Sequence, residues 1–216
     1  MKNYSHLFFD CDGVILNSNK FKTNAFYKIG LNYGKESAIK LKNYHIKNGG
    51  ISRYKKIKFF QKNIIRNNDI KLYEKLVNDY GKIVKEELLK TEISQGIFKL
   101  KEFFPNSKFA VISGSDQKEL LWLFKKLKIE NIFDRGIFGS PKSKEEIFLQ
   151  IFKNSTDIFS SIYLGDSKYD FEVSKIFGID FAFITEWTEV KDWVTYTEKN
   201  NIKSYLNISE FLKSYK

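Results

Sequence analysis

After Gly96 the chain alternates short apolar runs with helical segments, and this alternation constrains the fold more than any other feature. The apolar runs have the length and character of buried strands and lie at residues 108–113, 137–138, 161–164 and 181–184. The segments between them repeat apolar side chains at helical spacing and lie at residues 119–127, 144–152 and 171–177. Strands that alternate with helices form a parallel sheet covered on both faces. The sequence therefore predicts a doubly wound, Rossmann-like α/β fold.

A first strand of this sheet is expected near the N-terminus, because residues 7–9 form a short apolar run that ends at Asp10. From about residue 18 to residue 90 strand-like runs are missing and apolar residues recur at helical spacing. We interpret this segment as four or five helices. The chain then divides into a core of residues 1–17 and 92–216 and a helical insertion of residues 18–91.

Two carboxylates follow the first strand, where ligands of such sheets bind. Asp10 and Asp12 flank Cys11, and residues two apart in an extended segment point to the same side. Both could reach one site, one as a nucleophile and the other as a general acid and base. A calcium loop or a polar turn would give a similar pattern, so the pair alone leaves these alternatives open.

Further polar residues follow two other strands. Asp166 at the end of one strand could bind Mg²⁺, with Asp170 supporting the ion, or Asp166 could cap the helix that follows. Ser113 and the backbone N–H of Gly114 could hold a phosphate oxygen, or Ser113 could be a helix cap. A lysine at the start of the next helix could neutralise charge at the same site, and either Lys142 or Lys144 could be that residue.

Composition narrows the function classes. The 37 basic and 26 acidic residues give a net charge of +11, but the lysines are scattered, which is typical of solvated helix faces. A basic nucleic-acid-binding protein is therefore a remote alternative. One cysteine excludes an intrachain disulfide and a cysteine zinc cluster, and no apolar stretch approaches the roughly 18 residues of a membrane span. We expect a cytoplasmic protein, a monomer or homodimer, with neither a nucleic acid nor a membrane as partner.

Four motifs in this order resemble those of the haloacid dehalogenase superfamily of phosphotransferases. They are Asp10-Cys11-Asp12-Gly13-Val14, Ser113 after a hydrophobic strand, a lysine before Glu145-Glu146-Ile147, and Gly165-Asp166-Ser167-x-x-Asp170. The helical insertion is similar to the cap domain of the helical-cap subgroup, in particular of phosphoglycolate phosphatase and β-phosphoglucomutase-like members. The resemblance covers nearly the whole chain.

The resemblance implies a role for each motif. Asp10 attacks the substrate phosphorus to form an aspartyl-phosphate, and Asp12 protonates the leaving oxygen and then activates water. Mg²⁺ is held by Asp10, the Asp12 backbone carbonyl and Asp166, with Asp170 in support. The phosphoryl group is bound by Ser113, Gly114 and the motif lysine, for which we favour Lys144. Gly49-Gly50-Ile51-Ser52-Arg53 is similar to a cap segment in which the arginine meets substrate phosphate.

Asp12 favours phosphate-ester chemistry, because haloacid dehalogenases do not rely on an aspartate there or on Mg²⁺. We therefore expect a phosphatase for a small phosphorylated metabolite, such as a sugar phosphate or a phosphorylated sugar acid. A phosphomutase of the β-phosphoglucomutase type would use the same residues and is the main alternative. The segment Asn17-Ser18-Asn19-Lys20 does not strongly resemble the mutase pattern.

Overall fold

The computed structural model describes residues 3–153 and 160–215, and its centre is a six-stranded parallel sheet. The strands are β1 (His6–Phe9), β2 (Lys108–Asp116), β3 (Gly136–Ser140), β4 (Ser161–Gly165), β5 (Asp180–Ile184) and β6 (Lys203–Tyr205). Their order across the sheet is β3-β2-β1-β4-β5-β6, and each neighbouring pair is parallel. The prediction of a doubly wound parallel sheet is confirmed.

The central strand β1 packs into a separate apolar core on each face of the sheet. Leu7 and Phe9 belong to the larger core, whereas Phe8 belongs to the smaller one with Phe148 and Tyr163. Alternate residues of a strand point to opposite faces, and all four residues of β1 are buried. The near-continuous apolar character of β1 in the sequence follows from this burial on both faces.

Four helices lie within the inserted segment of residues 18–91, in line with the four or five that the helical periodicity predicts. They are α1 (Asn19–Leu31), α2 (Lys35–Lys47), α3 (Arg53–Phe59), which continues into a π-helical turn at Phe60–Ile64, and α4 (Ile70–Leu88). In α4 the residues Leu76, Tyr80, Val84 and Leu88 recur at intervals of four and are all buried. The insertion thus packs its own apolar stripe, and α1 packs against both α2 and α4.

The remaining helices cover the sheet, and the starts of two of them correct the sequence analysis. These helices are α5 (Leu100–Phe103), α6 (Gln117–Leu127), α7 (Lys144–Phe152), α8 (Lys168–Ile176), α9 (Trp193–Lys199) and α10 (Ile208–Lys213). The side chain of Asp116 caps α6 and that of Ser167 caps α8, so both helices begin earlier than their apolar periodicity indicates. Neither Ser113 nor Asp166 is therefore the cap.

The C-terminal tail adds an element that the apolar pattern does not show. The short strand β6 extends the sheet beside β5, and α10 returns to bury Ile208, Phe211 and Leu212. β6 was missed because two of its three residues are exposed, so it lacks an apolar run. Among the described residues, no helix is both long and apolar enough to cross a membrane.

Candidate active site

The carboxyl ends of the three central strands bring the sequence-predicted polar residues together. Asp10 follows β1, Ser113 lies in β2 and Asp166 follows β4, and these strands are neighbours in the sheet. All three side chains are buried. The Asp10 backbone N–H donates to Leu164 O at 2.9 Å, which fixes the chain where β1 ends. Sheet topology therefore creates the site that the strand ends predicted.

Three buried carboxylates form a cluster at this edge of the sheet. Asp10, Asp166 and Asp170 each offer an oxygen within 4.8 Å of the others. Asp170 lies in the first turn of α8, where its Oδ2 accepts from the Ser167 N–H at 3.1 Å. Its Oδ1 accepts from the Tyr163 hydroxyl at 2.8 Å. Asp170 is thus held firmly beside Asp10 and Asp166.

The geometry distinguishes the two candidate lysines. Lys144 opens α7 and is buried, with its Nζ 3.0 Å from Asp10 Oδ1 and 2.5 Å from Asp170 Oδ1. Lys142 is exposed and donates to Gln150 Oε1 at 2.5 Å. The capping box of Ser143 starts α7 directly at Lys144, which directs its side chain to the strand ends. Lys144, as favoured from the sequence, is the lysine at the carboxylate cluster.

Burial and, to a lesser extent, the crowding of negative charge raise the pKa of two of these carboxylates. Burial raises the pKa of Asp10 to about 7, and the nearby Lys144 only partly offsets it. Burial, together with the charges of Asp10 and Asp170, raises the pKa of Asp166 well above its usual range. Among the residues that the structure describes, Lys144 is the single ammonium within salt-bridge distance of the carboxylate cluster.

The cluster fits a divalent cation. Although Lys144 is 3.0 Å from Asp10 Oδ1, this buried oxygen accepts no properly oriented hydrogen bond from the residues that the structure describes. Buried polar atoms of this kind ordinarily have a partner. Mg²⁺ prefers oxygen ligands, often from one or two carboxylates plus a substrate phosphate, and it would offset the excess of negative charge.

The Asp12 carboxylate lies outside this cluster and faces the inserted helices. It accepts from Lys22 Nζ at 2.6 Å and from Ser115 Oγ at 2.6 Å, and Ser18 Oγ is a third donor. Burial opposes its charged form, but Lys22 and the hydroxyls outweigh burial and hold the pKa of Asp12 well below its usual range. Asp12 is therefore an ionised carboxylate with its own set of donors.

The predicted phosphate-binding turn packs directly against the inserted segment. Ser113 is fully buried, and its Oγ accepts from the Ser115 N–H at 3.1 Å. A Cβ on Gly114 would lie 2.2 Å from Gly50 O, so only glycine permits this approach. Gly50 in turn has a positive φ of 76° and lies beside Ser167 and Lys144. The Gly49-Gly50 segment therefore closes over the strand ends.

Arg53 lies in the same region but already has a carboxylate partner. The buried guanidinium donates from Nη1 to Glu119 Oε2 at 2.9 Å and from Nη2 to the other oxygen of Glu119. The guanidinium also lies over the Tyr80 ring, with Cζ 4.8 Å from the ring centre. Arg53 lines the cavity, but a substrate phosphate would have to compete with Glu119 for its bidentate face.

A cavity of about 60 Å³ lies between the strand ends and the inserted helices. Asp10, Asp12, Gly114 and Asp166 line it from the sheet, and Lys22, His45, Arg53 and Lys56 from the helices. This narrow space, lined by both acidic and basic side chains, suits a small charged ligand and excludes a folded macromolecule.

Several residues at the site were not identified as site residues from the sequence. Asn19 donates to Asp166 Oδ2 at 2.7 Å, and Ser115 bridges Asp12 and Lys22. Tyr163 holds Asp170 and Lys144 from within β4. A tyrosine inside an apolar strand needs a hydrogen-bond partner for its hydroxyl, so the sequence could have indicated a buried polar partner for Tyr163. The roles of Asn19 and Ser115 could not be predicted, because they depend on how distant elements pack.

Comparison with known proteins identifies the class to which this fold and site belong. The sequence model of the haloacid dehalogenase-like hydrolase family matches residues 7–184, so the chain belongs to this family. A phosphorylated carbohydrates phosphatase of Thermotoga maritima is 25% identical over 179 residues, which span 80% of this chain and 81% of that protein. The prediction of a superfamily hydrolase, and specifically of a phosphatase, is confirmed.

Solved structures share the complete fold. A haloacid dehalogenase-like protein from Streptococcus pneumoniae is similar with a TM-score of 0.66 and 19% identity, over 99% of each chain. A protein predicted to be a phosphoglycolate phosphatase, from Haemophilus somnus, is similar with a TM-score of 0.71 and 14% identity, over 100% of each chain. CbbY from Rhodobacter sphaeroides, in complex with phosphate, is similar with a TM-score of 0.69 and 12% identity, over 96% of each chain. At these identities the likeness shows the fold, including the inserted helical cap.

Proposed function

We propose that the protein is a Mg²⁺-dependent phosphatase that hydrolyses a small phosphorylated metabolite through an aspartyl-phosphate on Asp10. The observation that carries this proposal is the buried Asp10, which lies beside Lys144 and two further carboxylates. One of its oxygens accepts no hydrogen bond from the described residues. A sugar phosphate or a phosphorylated sugar acid is the substrate class, in line with the phosphorylated carbohydrates named for the Thermotoga relative.

Asp10 is the nucleophile and Asp12 the proton carrier. An Asp10 carboxylate oxygen bonds to phosphorus while the ester P–O bond breaks, and Asp12 gives a proton to the leaving oxygen. Asp12 then takes a proton from the water that attacks the aspartyl-phosphate, which releases inorganic phosphate and restores Asp10. Because Lys22 holds Asp12 ionised, the acid step requires Asp12 to take up a proton as substrate enters.

The phosphoryl group is bound by the Ser113 hydroxyl, the Gly114 N–H and the Lys144 ammonium. Mg²⁺ would be held by the Asp10 carboxylate, the Asp12 backbone carbonyl and Asp166, with Asp170 in support. When bound, it neutralises phosphoryl oxygens and so stabilises the charge of the transition state. Lys144 and the backbone dipoles act on the same charge from preorganised positions.

The helical segment of residues 18–91 acts as the cap that encloses the substrate. Arg53 exchanges Glu119 for a substrate oxygen when the ligand enters, because its planar fork matches phosphate as well as carboxylate. The contact of Gly50 with Gly114 corresponds to the closed cap, which excludes water from the reaction.

Phosphate release from a panel of sugar phosphates, phosphorylated sugar acids and phosphoglycolate, with Mg²⁺ and with EDTA, tests the proposal. We expect metal-dependent turnover of one compound class and none after Asp10→Asn. Isomerised sugar phosphate without phosphate release would identify a phosphomutase instead. Turnover that is insensitive to EDTA would contradict the metal requirement.

A further inference from the structure

Lys56 is a buried cation of the cavity that has no carboxylate of the described residues within hydrogen-bond distance. Lys56 lies on α3 with 3% of its surface exposed, and its Nζ is 2.8 Å from His45 Nδ1. Within residues 3–153 and 160–215 this imidazole is the only hydrogen-bond partner of the Lys56 ammonium. An ammonium has three N–H donors, so two of them have no acceptor among these residues.

The other cations of the cap side are arranged differently. Lys22 binds Asp12 at 2.6 Å, and Arg53 holds both oxygens of Glu119. His45 stands between Lys56 and the acid Glu189, with its Nε2 3.8 Å from Glu189 Oε2. Glu189 also accepts a hydrogen bond from Thr23 Oγ1 at 2.5 Å.

This arrangement is costly for the charge on Lys56. Burial lowers the pKa of Lys56 to about 7, because the attraction of Asp12 and Glu189 only partly offsets the loss of water. An anion beside Nζ would accept the two unused donors and stabilise the ammonium. Lys56 and Asp10 line the same cavity, so one small molecule could contact both residues.

We propose that Lys56 and His45 form a subsite for a second anionic group on the substrate, which is then a small phosphate ester that also carries a carboxylate or a second phosphate. This inference rests on the phosphatase function proposed above. The single ammonium and the narrow cavity favour the smaller group, a carboxylate. Lys56 is thereby a specificity-determining residue, and His45 positions its ammonium.

The test compares pairs of substrates that differ only in the second anion. Phosphoglycolate is paired with 2-hydroxyethyl phosphate, and a sugar bisphosphate with the corresponding monophosphate. We expect wild-type protein to have the higher kcat/KM for the anionic member of one pair, and that pair identifies the group as a carboxylate or a phosphate. Lys56→Met should reduce this preference by about tenfold or more, the loss expected for one hydrogen bond to a charged group.

Lys58→Met is the matched control, because Lys58 is exposed on the same helix. It should leave the preference unchanged. Equal kcat/KM for both members of each pair in wild-type protein would overturn the subsite, and this result needs no variant to fold. An unchanged preference in folded Lys56→Met would overturn it as well.

Failure of the phosphatase function would be recognised separately. If wild-type protein with Mg²⁺ hydrolyses none of the esters, calorimetric titration with the same compounds still measures the subsite. Tighter binding of the anionic members, weakened by Lys56→Met, would support the subsite without the reaction. Equal binding within each pair would reject it.

Discussion

The two walls of the cavity distribute charge in opposite ways. On the sheet wall, Asp10 and Asp166 line the cavity and form a carboxylate cluster with the buried Asp170, and the ammonium of Lys144 contacts Asp10 and Asp170. On the cap wall, Arg53 is matched by a carboxylate, whereas among the described residues the Lys56 ammonium has only the His45 imidazole as a hydrogen-bond partner. The sheet wall thus has an excess of negative charge that a cation would offset, and the cap wall has a buried ammonium that an anion would stabilise.

The difference follows from how each wall is built. Parallel strands end at a common edge, so residues far apart in sequence converge wherever a strand ends. The cap wall instead depends on the rotation and packing of helices, which place Lys56 of α3 beside His45 of α2. The sheet wall is suited to a reaction common to the family, and the cap wall to selection among substrates.

Removal of the nucleophile should have the largest effect. Asp10→Asn is expected to lower kcat by at least about 10⁴-fold, because an amide oxygen cannot form a stable aspartyl-phosphate. Circular dichroism should show an intact fold. Activity within about tenfold of wild type would remove Asp10 from the nucleophile role.

The same variant tests the charge crowding on the sheet wall without any substrate. The pKa of folded Asp10 is raised to about 7, so between pH 4 and 7 the folded state binds more protons than the unfolded state. The Asp10 titration therefore lowers the free energy of unfolding, measured by urea titration without Mg²⁺, as pH rises through this range. Asp10→Asn should remove this contribution and make the slope of stability against pH more positive, and an unchanged slope would contradict the raised pKa of Asp10.

The pair Lys144→Met and Lys142→Met compares a buried with an exposed lysine. Lys144→Met should destabilise the fold by about 3–5 kcal/mol, because Asp10 and Asp170 lose their buried counter-ion. It should also lower kcat/KM by about 10²-fold or more through the loss of phosphoryl binding. Lys142→Met should change neither property. Thermal unfolding and steady-state kinetics measure both, and equal effects of the two variants would reject the assignment of Lys144.

Mg²⁺ binding should be visible as a stability increment. Saturation at about 100 times the dissociation constant should stabilise wild-type protein by about 2.7 kcal/mol. Asp166→Asn should remove most of this increment, whereas Asp192→Asn, at an exposed carboxylate paired with Lys168, should retain it. Thermal unfolding with Mg²⁺ and with EDTA measures the increment for each variant. Equal increments in both variants would exclude Asp166 as a Mg²⁺ ligand.

More of the sheet wall than of the cap wall could be predicted from the sequence. Strand ends and motif order predicted the positions of Asp10, Ser113 and Asp166, because sheet topology converts sequence pattern directly into position. The separation of Asp12 from the carboxylate cluster was not predicted, since its orientation depends on Lys22 and Ser115. The pairing of Arg53 with Glu119 could not be predicted either, because it joins two helices whose packing against each other has no periodic pattern in the sequence.

The smallest expected effect is on the cap wall, at Arg53. Arg53→Ala should raise KM about tenfold with a smaller change in kcat, because the lost fork contributes to binding rather than to the reaction at phosphorus. Arg66→Ala, at an exposed arginine of the same inserted segment, is the matched control and should behave as wild type. Glu119→Gln distinguishes a role of Arg53 in substrate binding from a role in holding the cap. It removes the negative charge that competes for the guanidinium and keeps the shape of the side chain. If Arg53 exchanges Glu119 for substrate, Glu119→Gln should lower KM. A higher KM would mean that the Arg53–Glu119 pair only holds the cap in place.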